Sequence, residues 1–207
     1  FLSGTDEEKS ISFEQLQKLT DDELSYDNET GEVSVEVKAE EVKRPVGTEL
    51  VSSLLKNEDF KVTITRVRIS DDGCYCYYEE NGATILMNEW SEEDDNWGYL
   101  VWEGDNTVPF DSETGTFSSE NKIKFENHGD VAHIVLGHEL IHAMHHMNND
   151  FLTPSNSISY LDKTTMSLQT DYREDIDLKE EYRTTGLACF GPYQFEVNKE
   201  HITENAL

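Results

Sequence analysis

Proline, cysteine and positive charge are all scarce in this chain, and each scarcity excludes something. Four prolines in 207 residues, with no internal repeat and no low-complexity tract, leave no clear interdomain linker. Cys74, Cys76 and Cys189 are an odd number. In the stretch GCYCYY the first two lie too close for an easy bridge, and no second pair completes a zinc ribbon. Neither a disulfide framework nor a structural zinc site is therefore expected, and a reducing working compartment is compatible with the thiols. No apolar run approaches the roughly 20 residues that a bilayer-spanning helix needs. The opening FLSGTDEEKS has neither a basic leader nor an initiating Met, so any targeting signal is expected to have been removed or to lie outside this chain.

The deficit of positive charge is the largest. Sixteen Lys and Arg stand against 44 Asp and Glu, a net charge of -28. Like charges repel, and there is no basic patch to release counterions, so nucleic acid and anionic membranes are excluded as partners. The acidity itself has two readings: plain solubility, or a negative surface that steers a partner with a basic surface.

The length suits one main domain, expected over residues 46–207, with an acidic helix-and-strand segment over 1–45 packed on it. In SISFEQLQKLTDDEL, the residues Phe13, Leu16 and Leu19 recur at helical spacing, with Ser12 read as the N-cap and Gln15 three residues on. DNETGEV supplies a turn, and Val33, Val35 and Val37 alternate as in a half-buried strand. A second helix is expected from Thr48 in TELVSSLLKN, then a strand in FKVTITRVRIS followed by the turn DDG. ATILMNEW and YLVWEG read as strands of a hairpin about the acidic loop SEEDDNWG, and NKIKFEN as a further strand. Strands first and helices later give an α+β fold with a mixed β-sheet.

Against this background VLGHELIHAMHHM, from Val135 to Met147, is unusual: five charged or imidazole side chains interrupt what reads as a buried helix, expected to begin near Gly129 with Asp130 as cap. Positions i and i+4 share a helix face, so His138 and His142 can offer two imidazole nitrogens to one ion. Glu139 sits beside them. This is HExxH, in which a bound zinc acidifies a water and the glutamate acts as general base, the chemistry of a metallopeptidase. A motif this short also arises by chance on charged helices. Here Leu140, Ile141 and Ala143 embed it in an apolar segment, where two imidazoles and a carboxylate are costly unless a metal pairs them. His133, His145 and His146 are read as surface groups or as groups behind the ligands.

A catalytic zinc needs a third protein ligand. The metzincin pattern is excluded, because His145 occupies its glycine position and Asn148 its last histidine. The carboxylates left are Asp150, Asp162, Asp175, Asp177, Glu180, Glu181 and Glu196. DLKEEYRTTG is the best candidate segment, a helix on which Glu180 and Glu181 point about 100° apart, so only one reaches the ion.

GHELIHAMH followed by EEYRTTG resembles the clostridial neurotoxin light chains, with their HELIH helix and E-E-x-x-T-x-G segment. The stretch from Ile123 to Leu207, including ITENAL, is more similar to the NleD-type zinc metalloproteases that Gram-negative pathogens inject into host cells. The resemblance implies a zincin-like fold, Zn2+ held by His138, His142 and Glu181, Glu139 as base, and Glu180 in the non-ligating position. The light chains also use a distant Arg and Tyr to stabilise the oxyanion. This chain ends too soon to supply them, which leaves Tyr193, His201 or a residue beyond the end. The function implied is a zinc endopeptidase of gluzincin type, an effector or toxin secreted by a bacterium that cuts a specific protein in the host cytoplasm. Two other readings stand beside it: an NleC-type protease that imitates DNA to a DNA-binding substrate, and a non-enzymatic acidic binding module.

Overall fold

The first helix begins and ends earlier than its periodicity predicts. The computed structural model describes residues 1–67, 74–88, 110–111, 116–117, 132–150, 157–162, 167–172, 178–185 and 202–207. Strand β1 (Leu2–Ser3) leads into helix α1 (Asp6–Leu19). The N-cap is Thr5, not Ser12. The Glu8 amide donates to Thr5 Oγ1 at 3.3 Å, and the Thr5 amide donates to the Glu8 carboxylate at 2.5 Å. Asp6, Glu7 and Glu8 add negative charge to the first turn, where the helix dipole favours it. Ser12 instead lies buried in mid-helix on the face of Gln15, Leu16 and Leu19.

The helix stops at Leu19 because the next residues hydrogen-bond through their side chains to non-helical backbone. The Asp22 amide donates to Thr20 Oγ1 at 3.0 Å, and the Asp21 carboxylate accepts from the amides of Lys43 and Arg44. The chain therefore enters strand β2 (Glu23–Tyr26), where continued helix was expected, and pairs antiparallel with β3 (Val33–Val37). Between them Asp27 Oδ1 accepts from the amides of Glu29 and Thr30, and Gly31 has φ 73°, a conformation glycine adopts without strain. Helix α2 (Pro45–Lys56) starts ahead of Thr48 because Pro45 opens its first turn, where the missing N–H costs nothing. Its buried residues Gly47, Leu50, Val51 and Leu54 form one stripe.

Strands β4 (Lys61–Val67), β5 (Tyr75–Glu79) and β6 (Gly82–Asn88) join β1 in a four-stranded sheet of order β1-β4-β6-β5. The β1–β4 and β4–β6 pairs are parallel and β5 runs antiparallel to β6, so the sheet is mixed, as expected. Strand β5 was not expected. Its register carries one row of apolar residues across all four strands: Leu2, Ile64, Ile85 and Cys76. Tyr78 lies on the same face as Cys76, Tyr75 and Tyr77 point to the other, and all three tyrosines are exposed. Cys76 is a free thiol.

Helix α3 (Ala132–Met147) packs against β5 and β6 with α1 and α2 alongside. Leu136 and Ile141 are fully buried, each contributing about 1.5–3 kcal/mol of hydrophobic stabilisation. Further on lie the strand pairs β7 (Phe110–Asp111) with β8 (Thr116–Phe117) and β9 (Ser157–Asp162) with β10 (Ser167–Tyr172), then α4 (Leu178–Thr185) and a 3-10 turn (Glu204–Ala206). Helix α4 packs on α3 and β9. The architecture is α+β. The expected elements in YLVWEG, SEEDDNWG and NKIKFEN, the Asp130 cap and Cys189 lie outside the described residues. Among the described residues no helix is long and apolar enough to cross a membrane.

Candidate metal centre

HELIH occupies the middle of α3, and the packing of that helix explains why the motif is held rigidly. Leu136, Leu140, Ile141, Ala143 and Met144 bury the helix in the core. Gly137, just before the motif, allows a close approach: a Cβ there would collide with Leu207 Cδ1 and come within 3.2 Å of Leu19 Cδ2. The C-terminal end ends in a Schellman motif. Asn149 takes φ 52°, its amide donates to the His146 carbonyl at 2.9 Å, and the Asp150 amide donates to the His145 carbonyl at 2.9 Å.

Three of the residues singled out in the sequence converge. His138 Nε2 and His142 Nε2 are 3.0 Å apart, and the Glu181 carboxylate from α4 comes within 3.1 Å of the first and 3.2 Å of the second. His138, His142 and Glu181 are a group that could hold a metal ion. A tetrahedral zinc with bonds of roughly 2.0–2.1 Å sets neighbouring ligand atoms roughly 3.3–3.4 Å apart, close to this triangle.

A carboxylate faces each nitrogen of the His138 ring: Glu204 Oε2 lies 2.8 Å from Nδ1 and Glu181 Oε2 3.1 Å from Nε2. A ring N–H donating to Glu204 leaves Nε2 available to a metal, and two imidazoles grouped with a carboxylate need positive charge among them, from protons or from an ion. A proton satisfies one pair, whereas a divalent ion satisfies all three.

Glu139 is only 7 % exposed, and burial foremost raises its pKa, opposed by the neighbouring His138 and His142. A carboxyl held above its ordinary range is a better proton acceptor than a free one. Burial lowers the pKa of His138, but hydrogen bonding to Glu181 and Glu204 outweighs it and pushes the group up to about 10. In His142 burial is likewise outweighed, by Glu180 and Glu181, and the pKa rises to about 9. For Glu181 burial would raise the pKa, yet hydrogen bonds with His138 and His142 hold it well below the ordinary carboxylate range. Protons and a divalent cation thus compete for the same nitrogen positions.

The neighbouring Glu180 turns away from this point. It is buried, accepts from His145 Nδ1, and lies 3.7 Å from both His142 Nδ1 and Arg183 Nη1. Burial would raise its pKa, but His142 and His145 bring it down to about 2. Thr184 Oγ1 sits 3.4 Å from His142 Nδ1. Arg183 reaches Asp150 through the carboxylate, at 2.7 Å, and through the backbone carbonyl.

Among the expected site residues, His138, Glu139, His142 and Glu181 therefore come together. His145 is buried rather than on the surface, and it stands behind Glu180. His146 is half-buried, with Nε2 2.7 Å from the Glu79 carbonyl. Asp150 binds Arg183 instead of pointing to the centre. The side chain of Asp162, and Asp175, Asp177, Tyr193, Glu196 and His201, lie outside the described residues. Sequence reasoning missed Glu204, Thr184 and Arg183. The segment ITENAL marked the neighbourhood of Glu204, but nothing in its spacing pointed to a contact 66 residues back along the chain.

Comparison with known proteins places most of the chain in one family. The profile of Peptidase M91, described as effector protein, matches residues 39–207. No curated protein and no solved structure matches.

Proposed function

The chain belongs to the Peptidase M91 family of effector proteins, and from that membership and the geometry of its buried centre we propose that it is a zinc-dependent endopeptidase of gluzincin type. In this reading His138, His142 and Glu181 are the ligands and Glu139 is the general base. The observation that carries the proposal is the convergence of two Nε2 atoms and one carboxylate within 3.2 Å, with a buried, pKa-raised glutamate beside them. Zinc held there supplies Lewis acidity to the scissile carbonyl and to water. Glu139 takes the proton of the attacking water and passes it to the departing amide nitrogen. Glu204 holds the His138 ring by its Nδ1–H, and Glu180 with Thr184 stands behind His142. A helix carrying HExxH on a mixed sheet supports a zincin-like fold.

The proposed substrate is a host protein with a basic surface, a reading supported by the net charge of -28. Secretion from a bacterium and action in the host cytoplasm belong to the same proposal, supported by the effector class of the family. Residues 1–45 are, in this proposal, an extension packed on the protease domain of 46–207, supported by the pairing of β1 with β4.

The test is identification of new protein N-termini in host lysate treated with the chain or with Glu139→Gln, beside a zinc determination on both. The expected result is one zinc per chain in each, with cleavage by the unaltered chain and nearly none by the variant. Equal cleavage by both overturns the mechanism, and a chain that takes up no zinc favours the acidic binding module.

A further inference from the structure

We propose that Asp150 and Arg183 form a positioning clamp that determines which glutamate of the adjacent pair faces the metal. The inference rests on the metal-centre reading above and deepens it.

Glu180 and Glu181 project about 100° apart around α4. A roll of the helix by that angle would exchange them. An eight-residue helix is too short to fix its own orientation, so contacts outside it must do so. Two of them run to the C-terminal end of α3 and the Schellman motif beyond it, the stretch that follows His142. Glu180 accepts from His145 Nδ1, and Arg183, one turn further along α4, grips Asp150 by both its carboxylate and its carbonyl.

Asp150 is a fixed anchor. The Schellman motif ties its amide to the carbonyl of His145, the residue that holds Glu180. A continuous path thus leads from the histidine helix through Asp150 to Arg183, and back by one helical turn to Glu180. With both points held, Glu181 is the side chain left to face His138 and His142.

Charge reinforces the geometry. Glu139, Glu180, Glu181 and Glu204 crowd two imidazoles, and a divalent ion attracts every carboxylate within reach. The Arg183 guanidinium, 4 % exposed and 3.7 Å from Glu180, gives that glutamate a cation of its own. Its planar fork suits simultaneous contact with the Asp150 carbonyl and carboxylate, which a lysine could not reproduce.

Asp150→Asn in the full chain tests the clamp, because this side chain is 65 % exposed and its replacement leaves the core intact. The readouts are zinc affinity, by competition with a chelator, the visible spectrum of the cobalt-loaded protein, and the melting curve of the metal-free protein. The expected result is zinc affinity about 10–100-fold lower, the cost of losing a group that orients a ligand. Altered cobalt bands and a nearly unchanged metal-free melting curve should accompany it. Asp150→Glu should restore part of the affinity. In a Glu180→Gln background Asp150→Asn should add little, since the clamp acts through Glu180. Unchanged affinity and spectrum in Asp150→Asn, or full additivity with Glu180→Gln, overturns the clamp while the metal centre stands. Lower metal-free stability with an unchanged cobalt spectrum reduces the pair to a structural contact and also overturns it. A wild-type chain that takes up neither zinc nor cobalt overturns the metal centre, and the clamp with it.

Discussion

Removing either glutamate of the pair should damage the protein in a different way, and the contrast tests the site assignment directly. Glu180 is 3 % exposed. Glu180→Ala strips His145 Nδ1 of its acceptor and removes one of the carboxylates beside the buried Arg183. Breaking a buried ion pair costs about 3–5 kcal/mol, and an unsatisfied buried donor about 1–3 kcal/mol. The two costs overlap, because one residue makes both contacts, and Arg183 keeps Asp150. The net expectation is about 3 kcal/mol. For a chain of this size that lowers Tm by roughly 6–12 °C.

Glu181 has a side chain 35 % exposed and faces the two imidazoles of the proposed centre. Glu181→Ala should therefore change the stability of the metal-free protein by about 1 kcal/mol or less, given solvent screening. Zinc binding should respond in the opposite order. Loss of a ligand should weaken it by more than the roughly 10–100-fold typical of groups behind the ligands, the range expected for Glu180→Ala. Calorimetry of the metal-free proteins and chelator competition measure the two quantities independently. Equal zinc affinities, or the stability loss falling on Glu181→Ala, would refute the assignment.

Three further outcomes follow from the same structure. Thr5→Ala should cost about 1 kcal/mol by removing the cap of α1, whereas Ser12→Ala should be neutral or slightly stabilising because the buried Ser12 Oγ has no hydrogen-bond partner; equal losses in thermal melts would return the cap to Ser12. Gly137→Ala should lower stability by no more than about 1 kcal/mol, because the helix-propensity gain of about 1 kcal/mol offsets the displacement of the side-chain ends of Leu207 and Leu19; a Tm loss of more than about 4 °C would mean that those side chains cannot give way. If the acidic surface steers a basic substrate, cleavage of the folded substrate should slow with salt while cleavage of a short neutral peptide changes little; parallel profiles would assign the charge to solubility.

Local signals made part of this molecule readable. The alternation of Val33, Val35 and Val37, the β-branched run in β4 and the stripe of α2 each need only their own neighbours. HExxH is legible for the same reason: a helix fixes the i, i+4 spacing of His138 and His142. The α1 boundary was misread because Ser12 and Gln15 imitate a capping box, while the true one, Thr5 with Glu8, precedes the apolar stripe. Strand β2 was hidden by TDDEL, whose polar side chains bind backbone instead of continuing the helix. Strand β5 is hidden because YCYYE places apolar or aromatic side chains on both faces, Cys76 and Tyr78 on one and Tyr75 and Tyr77 on the other, so no apolar–polar alternation marks it. Glu204 and the burial of His145 depend on contacts far along the chain, which no local pattern encodes.

The separation of the partners in sequence gives the centre a second consequence, for the connectivity of the chain. Glu181 meets His138 across 43 residues, and Glu204 meets it across 66. In the proposed centre, an ion held by His138, His142 and Glu181 would be a reversible cross-link that closes the shorter of these loops. Closing 43 residues costs a flexible chain about 3 kcal/mol of configurational entropy, which coordination offsets. Such an ion would tether the segment bearing β9, β10 and α4 to the histidine helix, adding to the contacts of His145 with Glu180 and of Asp150 with Arg183 that already dock α4 there.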